Sequence, residues 1–372
     1  MNIVLIGPYF PYRGGISDTN QELCENLQKL GHLVTVFTFN LQYPAIFFPG
    51  KTQLSNKSIL PKIKANRIIN SLNPFNWISS AKKINNINPD ILISCYWTPY
   101  MAISFSYINQ RINKKIKKIG LIHNAFPHEN NFLQKFLLKF YLKKIDKYAT
   151  FSKNVMEQIK TINNAKKGIE LYLPAPKNFG EPINKNLAKK KLNLSKDSTY
   201  ILFFGIIREY KGLEILIKSM SKIIKEKKEL KLLIVGENYD SFKKYKKIIS
   251  KENLNNYIII NNNFINENEV KYWFCSSDLV IQPYKKASQS GISSLALQFE
   301  IPIVSTNIKG LSEYITDNQD GFISEPNYKD LSKKILFAID YDKNLLINKI
   351  REKKKKSNWK KFVLKLINNK ND

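Results

Sequence analysis

The sequence predicts an α/β protein of two similar halves, each a parallel sheet covered by helices. Three observations carry this reading. At 372 residues the chain is long for a single core, so two domains follow from length. Short runs that are apolar on both faces, such as Ile3–Ile6, Ile91–Ser94, Tyr200–Phe204 and Leu279–Gln282, alternate with amphipathic stretches, as buried parallel strands do. Between the halves lies PAPKNFGEPINKNLAKKKLNLSKDS, whose prolines and polar residues read as a linker. The expected layout is a first domain over 1–176, a linker over 177–198, a second domain over 199–345 and a closing helical segment over 346–372.

The first half opens with a strand, Ile3–Ile6, a loop GPYFPYRGG and a helix from Ile16 to Leu30 ended by Gly31; a strand at Leu33–Phe37 completes a βαβ unit. The loop stands at the carboxyl end of the first strand, where parallel sheets bind ligands, and Gly14 and Gly15 let the backbone approach one closely. It is not a GxGxxG fingerprint, and a plain tight turn fits the same residues. Residues 41–76, with FPGKTQ and SLNPFNW, read as an irregular excursion before a helix over Ile78–Ile87. Strands recur at Ile91–Ser94 and Ile119–Ile122, and the second runs into HNAFPHE. That places His123 and His128 on the same rim as Gly14 and Gly15. A histidine at a strand end is commonly structural; its rim position favours a site role for His123, with His128 capping or positioning Glu129. Next, FLQKFLLKFYLKKIDKY over Phe132–Tyr148 fits a domain helix with one solvated face, or a basic amphipathic helix lying on a membrane. A strand near Ala149–Phe151, a helix from Lys153 and a strand at Ile169–Leu173 close the half.

The second half repeats this grammar. Strands are expected at Tyr200–Phe204, Leu232–Val235, Tyr257–Ile260, Leu279–Gln282 and Ile303–Ser305, with helices over Gly212–Lys225, Ser241–Ser250 and Glu267–Phe274 between them. A short helix near Leu311–Ile315, a strand at Gly321–Ile323 and helical sequence from Tyr328 follow. The first strand of this half runs into GIIREYKG, which sets Arg208 and Lys211 at its carboxyl end. Two cations there suit a ligand with two phosphates. One lysine means little in so lysine-rich a chain, but Arg208 is one of only five arginines. On the same rim, a helix opening at Ser290, Gly291 and Ile292 presents unpaired N–H groups and a positive dipole end, with no side chain at Gly291 to hold a ligand off. An ordinary loop with serine as N-cap fits these residues equally.

Composition narrows the function classes. The formal net charge of +30 invites a nucleic-acid reading, yet the excess is lysine spread along the chain with no nucleic-acid motif beside it. Solvated lysine-rich faces account for it, with attraction to an anionic membrane surface as the alternative. Cys24, Cys95 and Cys275 lie far apart in apolar settings and suggest neither disulfides nor a zinc site. No apolar run approaches a bilayer span and MNIVLIGPYF lacks a basic leader region, so a cytoplasmic protein is expected.

Taken in order, GGIS with LGHLVTVFT behind it, FFPGKTQ, HNAFPHE, FFGIIREYKGLEILI, SSDLVIQPY, SQSG, and PIVSTNIKGLSEYI with DGF resemble the family 4 glycosyltransferases, over nearly the whole chain. The HNAFPHE, REYKG and SQSG forms look like a particular bacterial branch. That resemblance implies the GT-B fold: two Rossmann-like domains facing a central cleft, the first on the acceptor side, the second binding nucleotide sugar, and a final helix crossing back to the first. It implies retaining transfer from a nucleoside diphosphate sugar to a glycan or lipid-linked acceptor in surface polysaccharide synthesis, with no cofactor, no bound metal and no nucleic-acid partner. Arg208, Lys211 and the N–H groups at Ser290, Gly291 and Ile292 would stabilise the leaving diphosphate, Gly14 and Gly15 would close over it, and His123 matches the position that hydrogen-bonds the donor sugar.

The chain departs from the family in one respect. The family usually carries two glutamates eight positions apart, and alignment on Gly291 puts Ser288 and Ala296 at those places. Ser288 can hydrogen-bond a sugar but cannot stabilise a cation by charge, and Ala296 leaves the ribose to another group. A binding or scaffold subunit that kept the fold is therefore the rival expectation.

Overall fold

The computed structural model describes residues 1–44, 52–55, 60–126, 132–239 and 241–368. His128, Glu129 and residues 48–51 of FPGKTQ lie outside them. The chain divides into two compact units: Met1–Leu173 with the C-terminal segment from Asn358, and Pro174–Ser357.

The first unit contains β1 (Asn2–Ile6), α1 (Gly15–Lys29), β2 (Leu33–Leu41), β3 (Asn66–Asn70), α2 (Pro74–Ile87), β4 (Ile91–Tyr96), α3 (Tyr100–Arg111), β5 (Lys117–Ile122), α4 (Phe132–Leu142), β6 (Lys147–Thr150), α5 (Lys153–Lys160) and β7 (Gly168–Glu170). Its seven strands form one parallel sheet in the order β3-β2-β1-β4-β5-β6-β7. With β2 and β4 on either side, the apolar run Ile3–Ile6 is wholly buried, which is why it reads without alternation. On one face α2, α3, α4 and α5 bury Trp77, Phe105, Leu138, Tyr141 and Val155 among others. On the opposite face α1 contributes Leu23 and Leu27.

Two expectations are corrected here. The excursion over 41–76 contains edge strand β3, which alternates weakly (NRIIN) and pairs with β2 through two register shifts. A short, one-sided edge strand lacks the two-faced apolar signature. The helix expected to reach Tyr148 stops at Leu142, because Asp146 accepts the Lys118 N–H at 2.6 Å and the chain turns into β6, burying Tyr148.

The second unit contains α6 (Lys185–Lys191), β8 (Thr199–Phe204), α7 (Leu213–Glu226), β9 (Leu230–Val235), α8 (Lys243–Lys251), β10 (Ile258–Asn261), α9 (Glu267–Cys275), β11 (Leu279–Gln282), α10 (Gly291–Phe299), β12 (Ile303–Thr306), β13 (Phe322–Ser324), α11 (Tyr328–Asp340) and α12 (Lys343–Lys356). Six parallel strands run in the order β10-β9-β8-β11-β12-β13. The last helix, α13 (Trp359–Ile367), belongs to the first unit: Trp359, Phe362, Val363, Leu366 and Ile367 are buried in the cluster that holds Leu23 and Leu27. Lys117 and Lys147 donate to the carbonyls of Ile367 and Asn368, satisfying the end of that helix.

The segment read as a linker is structured. It forms a 3₁₀ turn at Lys177–Phe179 and then α6, which packs on α9, and it lays Phe179, Ile183, Ala188, Leu192 and Leu194 against the second unit's core. Its lysines conceal that apolar spacing. Residues 346–357, expected to pack on the first domain, stay with the second unit: Leu346 and Ile350 are buried, and Arg351 and Lys354 pair with Glu300 at the end of α10. Among the described residues no helix is long and apolar enough to cross a membrane.

Candidate functional site

The loops at the carboxyl ends of β8, β11 and β12 are fastened together by close backbone contacts. Gly212 has φ +65°, and a Cβ there would stand 1.9 Å from the Pro283 carbonyl oxygen. Gly310 has φ +87°, and a Cβ there would stand 2.3 Å from the Ser288 carbonyl oxygen. Only glycine permits both the left-handed backbone and the contact at these two points. The Lys285 N–H donates to the Tyr210 carbonyl at 2.7 Å and its ammonium meets Glu214 at 2.5 Å, joining REYKG to PYKK a second time. On the other side, the Ile207 N–H donates to the Glu237 carbonyl at 2.9 Å.

This clamp fixes Lys211. Its side chain is buried, lies 5.4 Å over the Tyr284 ring, and has no carboxylate partner among the described residues. Burial, with Arg208 nearby adding to it, lowers its pKa from the ordinary lysine value, while Tyr210 opposes the shift. Arg208 is exposed at the head of a 3₁₀ turn, Glu209–Lys211, with no ion pair among the described residues. Lys211, a buried cation without a carboxylate partner among the described residues, is an unfilled electrostatic demand. A Cβ on Gly205 would fall 3.1 Å from Lys211 Nζ and 3.4 Å from Ile292 Cδ1. The ammonium and the first turn of α10 therefore meet over that glycine.

The start of α10 rests on a buried polar network. Ser290 is the N-cap: its Oγ accepts from the Ile292 N–H at 3.3 Å and from Gln282 Nε2 at 2.8 Å, while Ser293 donates to Gln282 Oε1 at 3.1 Å. Burial pushes the pKa of the Tyr284 hydroxyl up to about 12, against the neighbouring Ser290 and Gln282, which lower it. Thr306 donates to the Tyr284 carbonyl at 2.6 Å, tying β12 to the same loop. Above this network Gly291 is exposed, and a Cβ there would meet nothing within 4 Å. The structure thus brings Lys211, Ser290, Gly291 and Ile292 together on one rim, with Arg208 on the same loop as Lys211. Gln282, Tyr284, Thr306, Gly212 and Gly310 escaped the sequence reading; the available signal was a glutamine ending the otherwise apolar strand LVIQ.

Ser288 sits on this rim, half-buried, its carbonyl against Gly310. Ala296 does not: it is 2% exposed and packed with Phe274, Phe299 and Ile303 in the apolar cluster behind the sheet.

In the first unit, Gly14 precedes α1 with φ +114° and Gly15 opens it. No side chain caps this helix start, and a Cβ on either glycine would meet nothing within 4 Å. His123 follows β5 and is 2% exposed. Its backbone N–H donates to the Tyr96 carbonyl at 2.8 Å, and its ring lies 4.5 Å from that of Phe151. Nε2 has no hydrogen-bond partner among the described residues, and burial drives its pKa down to about 3. The imidazole is neutral at physiological pH and suited to hydrogen bonding rather than charge. Among the described residues no three His, Cys, Asp or Glu side chains form a metal-binding group.

Residues 13–170 match the model of Glycosyltransferase Family 4, and residues 184–357 match that of glycosyl transferases group 1. The chain is similar to an uncharacterized glycosyltransferase of Methanocaldococcus jannaschii, 23% identical over 376 residues that span 98% of this chain and 96% of that one. It is also similar to the capsular polysaccharide biosynthesis glycosyltransferase CapM of Staphylococcus aureus, 24% identical over 155 residues, 41% of this chain and 40% of that one. HepE of Anabaena, solved in complex with UDP, superposes with a TM-score of 0.73 at 14% identity, covering 96% of this chain and 95% of HepE, a likeness of fold. Each half of the chain carries a glycosyltransferase domain on a Rossmann-like parallel sheet, and the chain is a glycosyltransferase of the GT-B fold.

Proposed function

We propose that the chain is a retaining, metal-independent transferase that moves a sugar from a nucleoside diphosphate sugar to a glycan or lipid-linked acceptor in bacterial surface polysaccharide synthesis, acting in the cytoplasm. The observation that carries the reading is Lys211, a buried ammonium with no carboxylate partner among the described residues, which shares the space over Gly205 with Ile292 of the first turn of α10. As the glycosidic bond breaks, negative charge builds on the leaving diphosphate. Lys211 and the N–H groups at the start of α10 are fixed before the reaction, so they stabilise that charge without reorganising, and Arg208, exposed on the same loop, adds its charge. Groups so placed supply the countercharge that a metal ion would otherwise bring. CapM, similar over part of its length, is a capsular polysaccharide glycosyltransferase by name, and HepE was solved with UDP; both favour this donor and pathway class. Gly14 and Gly15 would admit the donor diphosphate closely, and neutral His123 would hydrogen-bond the donor sugar through Nε2. Ser288 would offer the sugar a hydroxyl where a carboxylate is usual.

The second reading, a binding subunit with impaired catalysis, is favoured by one observation: neither Ser288 nor Ala296 is acidic, and Ala296 is a core residue. A panel of nucleoside diphosphate sugars, assayed with purified protein in chelator for release of nucleoside diphosphate and transfer to acceptor, separates the two. Turnover of one donor supports the enzyme; binding without hydrolysis or transfer supports the subunit; no binding removes both.

A further inference from the structure

The helical surface of the second unit carries a cleft of about 560 Å³, lined by none of the strand-end residues described above. One wall is the outer face of α7. That helix buries Leu216, Ile217, Met220 and Ile223, and along its other side Lys218, Lys222 and Lys225 recur at spacings of four and three residues. Like charges at such spacings cost a helix stability. Helix α8 packs on α7 and brings Lys251, in its last turn, to the cleft. Helix α11 also packs on α7 and brings Tyr328, whose carbonyl accepts from the Ser219 hydroxyl at 3.1 Å and whose ring lies 5.8 Å under Lys222 Nζ. Four ammonium groups thus share one concavity with a single carboxylate, Glu252, and none of the four has an ion pair among the described residues. Neighbouring lysines outside the cleft do find partners: Lys227 meets Asp340 at 2.8 Å, and Lys244 meets Glu209 at 3.7 Å and Glu214 at 3.9 Å. A concave surface of one sign focuses its field and concentrates counter-ions, which the same lysines spread over a convex face do not. Lysine binds phosphate as a point charge, and four such charges around a small volume match several phosphates joined in one molecule.

We propose that this cleft is a second anion site, which binds a soluble chain of three or more phosphates, bare or carried on a nucleoside, through Lys222 and Lys251 with Lys218 and Lys225 flanking them along α7. It is distinct from the proposed diphosphate cradle. Leu213, the first residue of α7, follows the loop that holds Lys211, whereas Lys222 and Lys225 lie in the second half of the helix, Lys222 roughly 14 Å along the axis from Leu213. The inference therefore stands whether or not Lys211 holds the donor.

The test is calorimetric titration of tripolyphosphate and of ATP, in chelator at physiological salt, into the full chain carrying Lys211→Met, so that the donor cradle is impaired and the binding that remains is read at the cleft. Saturable one-to-one binding is expected, weakened at least about tenfold when K222Q/K251Q is added. Tighter binding of tripolyphosphate or of ATP tells a bare phosphate chain from one carried on a nucleoside, and either supports the site. K190Q/K191Q on α6 removes the same charge from exposed positions outside the cleft and leaves the affinity within about twofold, which separates a site from diffuse attraction to a +30 chain. UDP, with two phosphates, binds Lys211→Met at least about tenfold more weakly than tripolyphosphate. Lys222 and Lys251 are exposed, so K222Q/K251Q alone keeps wild-type thermal unfolding and wild-type donor turnover without polyphosphate. No saturable binding, undiminished affinity on adding K222Q/K251Q, an equal loss with K190Q/K191Q, or UDP binding as tightly as tripolyphosphate overturns the proposal. Heparin binding at least about tenfold more tightly than tripolyphosphate, and lost with K222Q/K251Q, assigns the cleft to an acidic polymer and overturns it as well.

Discussion

The Lys211 ammonium lies 5.4 Å over the ring of Tyr284, and the hydroxyl of that tyrosine neighbours Ser290, the residue that caps α10. One aromatic side chain therefore sets both the buried cation and the helix start that the proposed diphosphate would share. Holding Lys211 buried without a carboxylate costs the free protein stability, and an arriving anion offsets that cost.

Lys211→Met is expected to raise the unfolding free energy of the ligand-free protein by about 1 kcal/mol, since it replaces a desolvated charge with an apolar chain of similar length. In kinetics, Lys211→Ala and Arg208→Ala each lower kcat/KM by about 2 to 4 kcal/mol of transition-state stabilisation. Denaturant titrations and initial rates check the two halves of this prediction.

Gly212→Ala and Gly291→Ala are expected to fail in different ways. The first forces a left-handed backbone and a clash at 1.9 Å on the Pro283 carbonyl, so it lowers stability by at least about 2 kcal/mol. The second meets no protein atom within 4 Å and leaves the melting temperature at or slightly above wild type. Its methyl group intrudes on the space over the α10 amides and weakens nucleoside diphosphate binding by about tenfold, or 1.4 kcal/mol. Thermal shift with and without ligand distinguishes them.

His123 makes stability pH-dependent with a definite sign. Its folded-state pKa of about 3 lies below the ordinary 6.5, so the unfolded chain binds the proton first as pH falls. Stability is therefore lost progressively from pH 6.5 towards pH 3, at about 1.4 kcal/mol per unit. Between pH 7 and pH 5 wild type is expected to lose about 2 kcal/mol more than His123→Asn, measured by denaturant titration at both values.

Phe362 on α13 stacks on Phe151 at 5.8 Å, and Phe151 lies 4.5 Å from His123. Phe362→Ala is expected to cost about 3 to 5 kcal/mol and to slow transfer as well, because Phe151 loses its backing. Calorimetric unfolding and rate measurement at a temperature where the variant remains folded check both effects.

The sequence carried most of the fold because each central strand is buried on both faces, as Ile3–Ile6 and Leu279–Gln282 show, and such runs have one sensible parallel arrangement. It failed where packing was decided by few residues. Edge strand β3 presents two buried or half-buried isoleucines among polar neighbours, and the stretch before β8 hides Phe179, Ile183 and Leu194 among lysines and asparagines. At the site, Arg208, Lys211, Ser290 and Gly291 were legible because charge and missing side chains at strand ends have direct chemical meaning. Gln282, Tyr284 and Thr306 were not, since their role lies in a network joining three strand ends that only the folded chain brings together. Ala296 is a core residue, 2% exposed, in keeping with the expectation that it leaves the ribose to another group.

The most direct test of the diphosphate cradle is calorimetric titration of UDP and the other common nucleoside diphosphates into wild type and Lys211→Met, in chelator. Saturable binding of at least one of them by wild type, weakened at least about tenfold in the variant, is the expected result. Failure of every nucleoside diphosphate to bind wild type, or equal affinity in Lys211→Met, would contradict the assignment of Lys211 and the start of α10 as the donor diphosphate site.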